Sequence, residues 1–172
     1  MKRSTKNLVK WILYSVILFV FTVIQTTPGL LQINGVKPVL ILPLAVFVAV
    51  FEGETGGFCF AVAAGIVWDS VSDKPLGFSA ILLAVCCVII ALLVIFFVKA
   101  SILNCCILCL AAVCVYCFFD FLFFYAIWGA GGLMSVLLTH FLPMIIYTTV
   151  ISPLVFLLVR VIASKYNEIL RV

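Results

Sequence analysis

Residues 52–77 read EGETGGFCFAVAAGIVWDSVSDKPLG, a short apolar run with carboxylates at both ends and glycines through it. Charges are costly in lipid and are kept there for a reason. Small residues recur every four positions, at Gly53, Gly57, Ala61 and Gly65. Four residues advance a helix by about 400°, so each step drifts about 40° and the series forms a slanted stripe. Such a stripe lets a second helix approach closely at an angle. Packing against another span of the same chain and contact with a different protein both satisfy it.

Asp69 lies one further step of four along, beside Trp68. It can accept hydrogen bonds from neighbouring backbone and fix the following turn, or pair with an arginine on a partner. Asp73 and Lys74 follow; Asp73 reads as a solvated loop charge or an N-cap of the next helix. Glu52 and Glu54 stand about 22–25 Å of helix away from Asp69, too far for joint acid–base work on one substrate. They are placed to meet cations at their own end.

Outward from this stretch, the 172-residue chain is 67% hydrophobic and 9% charged, a composition suited to lipid rather than water. It reads as a single integral membrane domain over residues 1–172. Six spans are expected, at about residues 8–24, 38–51, 56–68, 78–98, 102–128 and 133–162. The second and third are short against the roughly 20 residues that cross a bilayer upright. They can borrow flanking residues, thin the bilayer or sit inside the protein; five spans result if they form one re-entrant pair. The first apolar run lacks a small-residue cleavage site and is read as a retained span.

Lys2, Arg3, Lys6 and Lys10 precede the first span, and six spans bring Lys99, Arg160, Lys165 and Arg171 to the same side, leaving Lys37 and Lys74 opposite. The positive-inside rule then places both termini in the cytoplasm. The loops at 25–37, 69–77 and 129–132 face outward. Pro28-Gly29, Asn34-Gly35 and Pro75-Leu76-Gly77 are turn signals. Trp11, Trp68 and Trp128 fall where interfaces are expected. The net charge of +4 is scattered over loops and termini, which is no nucleic-acid signature.

Eight cysteines lie inside apolar runs, and Cys106-x-x-Cys109 and Cys114-x-x-Cys117 copy metal or redox spacing. In an apolar helix, cysteine serves as a small hydrophobe, and no metal or cofactor is expected. Asp120 sits within Phe118-Phe119-Asp120-Phe121, well inside the fifth span. A lone carboxylate there is protonated, hydrogen-bonded or beside a polar cavity. His140 is the candidate partner for an intramembrane polar pair. No nucleophile elbow, P-loop, zinc-protease motif or dinucleotide fingerprint occurs, so no enzyme activity is expected.

The order of these pieces resembles the MreD family of bacterial rod shape-determining membrane proteins. The resemblance runs from the first span ending at Gln25, through Lys37-Pro38, Glu52-Gly53-Glu54 and the glycine-rich run. It is most specific over G-I-V-W-D-S-V-S-D-K-P-L-G, residues 65–77, and ends with the closing helix bearing Pro143, Pro153 and Arg160. The Cys- and Phe-rich fifth span has no counterpart in that pattern. The resemblance implies an all-α bundle of about six transmembrane helices, similar to the substrate-binding subunits of energy-coupling-factor transporters. It implies a non-enzymatic adaptor of the cell-elongation machinery in the bacterial cytoplasmic membrane, regulating peptidoglycan synthesis and cell shape. Its partners would be an MreC-like bitopic protein, the peptidoglycan polymerase and transpeptidase complex, and indirectly an actin-like MreB filament.

The expected partner seat is Gly53, Gly57, Ala61, Gly65, Asp69, Pro75 and Gly77. The rival expectation is a substrate-binding subunit of a vitamin transporter, with an outward polar pocket built from Asp69, Asp120 or His140.

Overall fold

The computed structural model describes residues 3–27, 29, 36–72, 74–98, 101–127 and 133–166. Asp73, Lys99, Trp128, the 129–132 loop and Arg171 lie outside the described residues. The described chain is all-helical. Its helices are α1 (Arg3–Thr26), α2 (Ile41–Val71), α3 (Phe78–Phe96), α4 (Ile102–Phe121), α5 (Leu133–Val136) and α6 (Leu142–Tyr166). A π-helical turn, Leu122–Ala126, extends α4, and another, Leu137–Phe141, joins α5 to α6.

Five helical stretches are long and apolar enough to cross a membrane: Asn7–Thr26, Ile41–Val71, Phe78–Phe96, Ile102–Tyr125 and Met134–Tyr166. The expected third span, and the expected second from residue 41 onward, lie within the second of these. α2 is not straight, however. Gly53 has φ 78° and ψ −172°, a conformation that costs a residue with a side chain dearly. Eight residues of straight helix would separate Ala49 and Gly57 by about 12 Å. Instead, a Cβ built on Gly57 would fall 2.5 Å from that of Ala49. The chain therefore doubles back at Gly53, making two antiparallel arms, residues 41–52 and 54–71.

The first arm is the centre of the molecule. Residues 41–49 are buried on every side. Its 12 residues span about 18 Å, well short of a bilayer core of about 30 Å. A rod so short and uniformly apolar is satisfied by being surrounded, and the longer helices surround it. α1 offers it one stripe, Lys10, Tyr14, Leu18, Thr22 and Gln25, all buried at near-four spacing, while Phe19 and Ile12 face outward. α6 offers Phe156, whose ring lies 5.4 Å from that of Phe47 and 5.5 Å from that of Phe51. Pro153 interrupts the α6 ladder, and the Ser152 hydroxyl donates to the freed Thr149 carbonyl at 2.8 Å.

The doubled arm defines two ends. The Gly53 end carries Lys10, Glu52, Arg160 and Lys165; the other end carries Gln25, Lys37 and the turn 72–77.

Candidate functional site

The small-residue stripe is spent inside the chain. Gly57, Ala61 and Gly65 are all buried. Gly57 lies against Ala49 across the reversal, and a Cβ on Gly65 would collide with the backbone of Ser79 and Ala80 in α3. The slanted stripe thus seats the chain's own first arm at one end and α3 at the other. Of the two occupants that the stripe admits, Gly57 and Gly65 take the internal one, where close backbone approach is already used.

Asp69 continues this internal role. It is 2% exposed. Its Oδ2 accepts from the Gly77 backbone N–H at 2.8 Å, and the Ser79 N–H lies 3.1 Å from both carboxylate oxygens. The first N–H groups of a helix have no partner within the helix. A carboxylate borrowed from α2 satisfies that of Ser79 in α3 and that of Gly77 just before it, and stands at the positive end of the α3 dipole. Gly77, with φ 100°, turns the chain into α3 at a position that favours glycine. Of the two readings of Asp69, the structure builds the turn-fixing one and leaves no carboxylate for an outside arginine.

Above Asp69 the turn is anchored again. The Lys74 ammonium pairs with Asp120 and donates to the Tyr116 hydroxyl at 3.3 Å. It also lies 5.2 Å and 5.6 Å from the ring centres of Tyr116 and Phe124. Burial pulls the Lys74 ammonium down, but Tyr116 and Asp120 more than offset it and hold it above its ordinary value. Tyr116 is the hub: its hydroxyl accepts from Trp68 Nε1 at 3.0 Å and meets Ser79 Oγ at 3.0 Å. One hydroxyl so ties α2, the turn, α3 and α4. The turn's tip remains free of this network, with Pro75 exposed and Leu76 73% exposed.

Beside the network lies a half-open cavity of about 290 Å³. Gln25, Lys37, Trp68, Lys74, Tyr116, Asp120, Tyr125 and His140 supply its polar and aromatic lining. Asp120 and His140 therefore line one cavity, as the polar-pair reading required of their positions, but the cation on Asp120 is Lys74 rather than His140. Gln25 and Thr148 cap the first arm nearby: Leu40 N–H donates to Gln25 Oε1 at 2.9 Å and Val39 N–H to Thr148 Oγ1 at 3.1 Å. The two π turns also meet this region, one starting two residues after Asp120 and the other containing His140. Such turns disturb the regular ladder and are frequent at functional sites.

The opposite end holds a second polar group. Lys10 Nζ lies 2.5 Å from Glu52 Oε2, and the Tyr14 hydroxyl donates to Glu52 Oε1 at 3.0 Å. The Lys10 and Glu52 side chains are only 6% and 7% exposed. This cluster pins α1 to the reversal one residue before Gly53.

No protein-family model, curated protein or solved structure matches this chain.

Of the expected seat residues, only Pro75 is exposed; Gly53 and Gly77 are half-buried and shape the two turns. All eight cysteines are unpaired, and among the described residues no three His, Cys, Asp or Glu side chains converge as a metal site. Sequence reasoning missed Lys37, Lys74 and Tyr116. Tyr116 and Asp120 stand four apart, so they share one helix face with Val113 and Cys109, and that spacing could have revealed them.

Proposed function

We propose that this chain is a non-enzymatic integral-membrane adaptor of the bacterial cell-elongation machinery, similar to MreD, holding an MreC-like bitopic partner. Both termini face the cytoplasm, both arms of α2 count among six membrane rods, and the turn 72–77 faces outward. The observation that carries this reading is the contrast within the turn. Its base is fixed by Asp69, Lys74 and Tyr116, while its apolar tip, Pro75-Leu76, stands exposed. A rigidly presented apolar tip suits recognition, because little ordering cost falls on the complex. The resemblance is also most specific over residues 65–77, the stretch that builds this turn.

The partner seat accordingly moves from the glycine stripe to the turn. The partner's external domain would rest on Leu76, with its anchor helix lying on the lipid-facing side of the bundle. The tagged full chain, purified in mild detergent, should carry a bitopic protein with it. A photo-reactive residue at Leu76 should trap the external domain of that protein. Neither co-purification nor a crosslink from Leu76 would leave the adaptor reading without its seat.

The cavity favours a second reading, the substrate-binding subunit of an energy-coupling-factor-type vitamin transporter. A vitamin retained through purification, with no bitopic protein present, would select it.

A further inference from the structure

Among the described residues, the charges at the turn-end cavity do not balance. Its described lining has two ammoniums, Lys37 and Lys74, and one carboxylate, Asp120. Lys74 and Asp120 neutralise one another. Lys37 is held by neutral groups: its Nζ donates to the backbone carbonyls of Gln25 at 3.3 Å and Thr27 at 3.2 Å. Among the described residues it meets no carboxylate within salt-bridge distance. Among the described residues, Lys37 is thus left as a cation without a carboxylate beside the cavity, in a protein that is 67% hydrophobic. A partly buried cation without a counter-charge is expensive, and an anion drawn from outside relieves that cost. Charge-assisted bonds to phosphate oxygens are the strong form of such a contact.

The surroundings narrow the anion. An apolar cleft of about 750 Å³ opens at the surface, lined by Val36, Leu138, Thr139, Leu142, Pro143 and Tyr147 among others. Val36 lines the cleft and Lys37 the cavity; Thr139 lines the cleft and His140 the cavity. Neighbouring residues of the chain thus line the two spaces at both places. A charged chamber and an apolar trough lined by neighbouring residues match a molecule with a small anionic head and a long apolar tail.

We propose that the cavity binds the phosphate of an anionic phospholipid, with Lys37 as its principal cation, His140 and Tyr125 at the rim, and an acyl chain along the Val36–Tyr147 cleft. The site is independent of the protein partner. It places a lipid headgroup beside the turn that presents Leu76, at the end where α1, α2, α4 and α6 meet.

The test uses the full chain, delipidated in mild detergent and given phosphatidylglycerol or phosphatidylcholine, with bound lipid read by native mass spectrometry. Phosphatidylglycerol should be retained about five-fold over phosphatidylcholine, the ratio that one lysine near a headgroup contributes. Lys37→Gln should erase that preference, while Arg160→Gln, exposed at the opposite end, should keep it. Equal retention of phosphatidylglycerol by the wild type and Lys37→Gln would overturn the site. Thermal midpoints of the wild type alone provide a second arm should Lys37→Gln fail to fold. Phosphatidylglycerol should raise the midpoint more than phosphatidylcholine does, and inorganic phosphate should not. Protection by inorganic phosphate equal to that by the lipid would mean that the tail plays no part and that a soluble anion is the ligand.

Discussion

The two ends of the doubled α2 each hold a lysine–carboxylate pair with a tyrosine hydroxyl beside it, yet they are built for different purposes. At the Gly53 end, Lys10, Tyr14 and Glu52 are sealed between α1 and α2, and the pair is almost wholly buried. At the other end, Lys74, Asp120 and Tyr116 stand on the wall of a cavity that also takes in Lys37 and His140. One end closes the reversal; at the other, among the described residues, Lys37 meets no carboxylate beside an opening. Buried ion pairs do not in themselves mark function. What distinguishes the turn end is the surplus cation, the cavity and the two π turns that border it.

The largest expected effect breaks the sealed end. Lys10→Met removes the ammonium facing Glu52 and should cost about 3–5 kcal/mol, read as a lower unfolding midpoint in mixed micelles. The double variant Lys10→Met, Glu52→Met should recover most of that loss, since replacing both members of a buried pair with apolar groups is often close to neutral. Next comes the stripe between the ends. Gly65→Leu drives a side chain into the Ser79–Ala80 backbone and should cost about 1–3 kcal/mol or more by overpacking. Asp69→Ala removes the borrowed cap of α3 and should cost about 1–2 kcal/mol, with hydrogen exchange rising first in the opening turn of α3. The smallest stability effect falls on the open end. Lys37→Gln should change the unfolding free energy by no more than about 0.5 kcal/mol while abolishing the preference for anionic lipid. A large loss of stability there, with binding unchanged, would make the two ends alike.

Much of the helical layout is legible in residue types alone. The apolar runs set α1, α3, α4 and the α5–α6 rod to within a few residues, because nothing but helix satisfies backbone in lipid. Glu52-Gly53-Glu54 announces an interruption, and Gly53 is where the chain reverses. The destination of the small-residue stripe was not legible. Gly57, Ala61 and Gly65 state that a helix comes close, but not whose, since a self-packed face and a partner's groove demand the same residues. Nor could the cation on Asp120 be read. Lys74 lies 46 positions away in sequence, and only the folding of the turn back over α4 brings them together. Lys37 reads on paper as a loop charge marking orientation; its surplus appears only once Asp120 has been matched to Lys74.

The doubling of α2 at Gly53 supports everything else, since it buries the stripe, centres the short arm and separates the two ends. Spin labels on non-canonical residues at positions 37 and 70, measured by pulsed electron resonance in proteoliposomes, test it directly. The start of the first arm and the finish of the second lie beside one cavity, so the labels should sit about 20 Å apart or closer. A straight Ile41–Val71 helix would hold them about 45 Å apart, and a distance near that value would contradict the fold and the site built upon it.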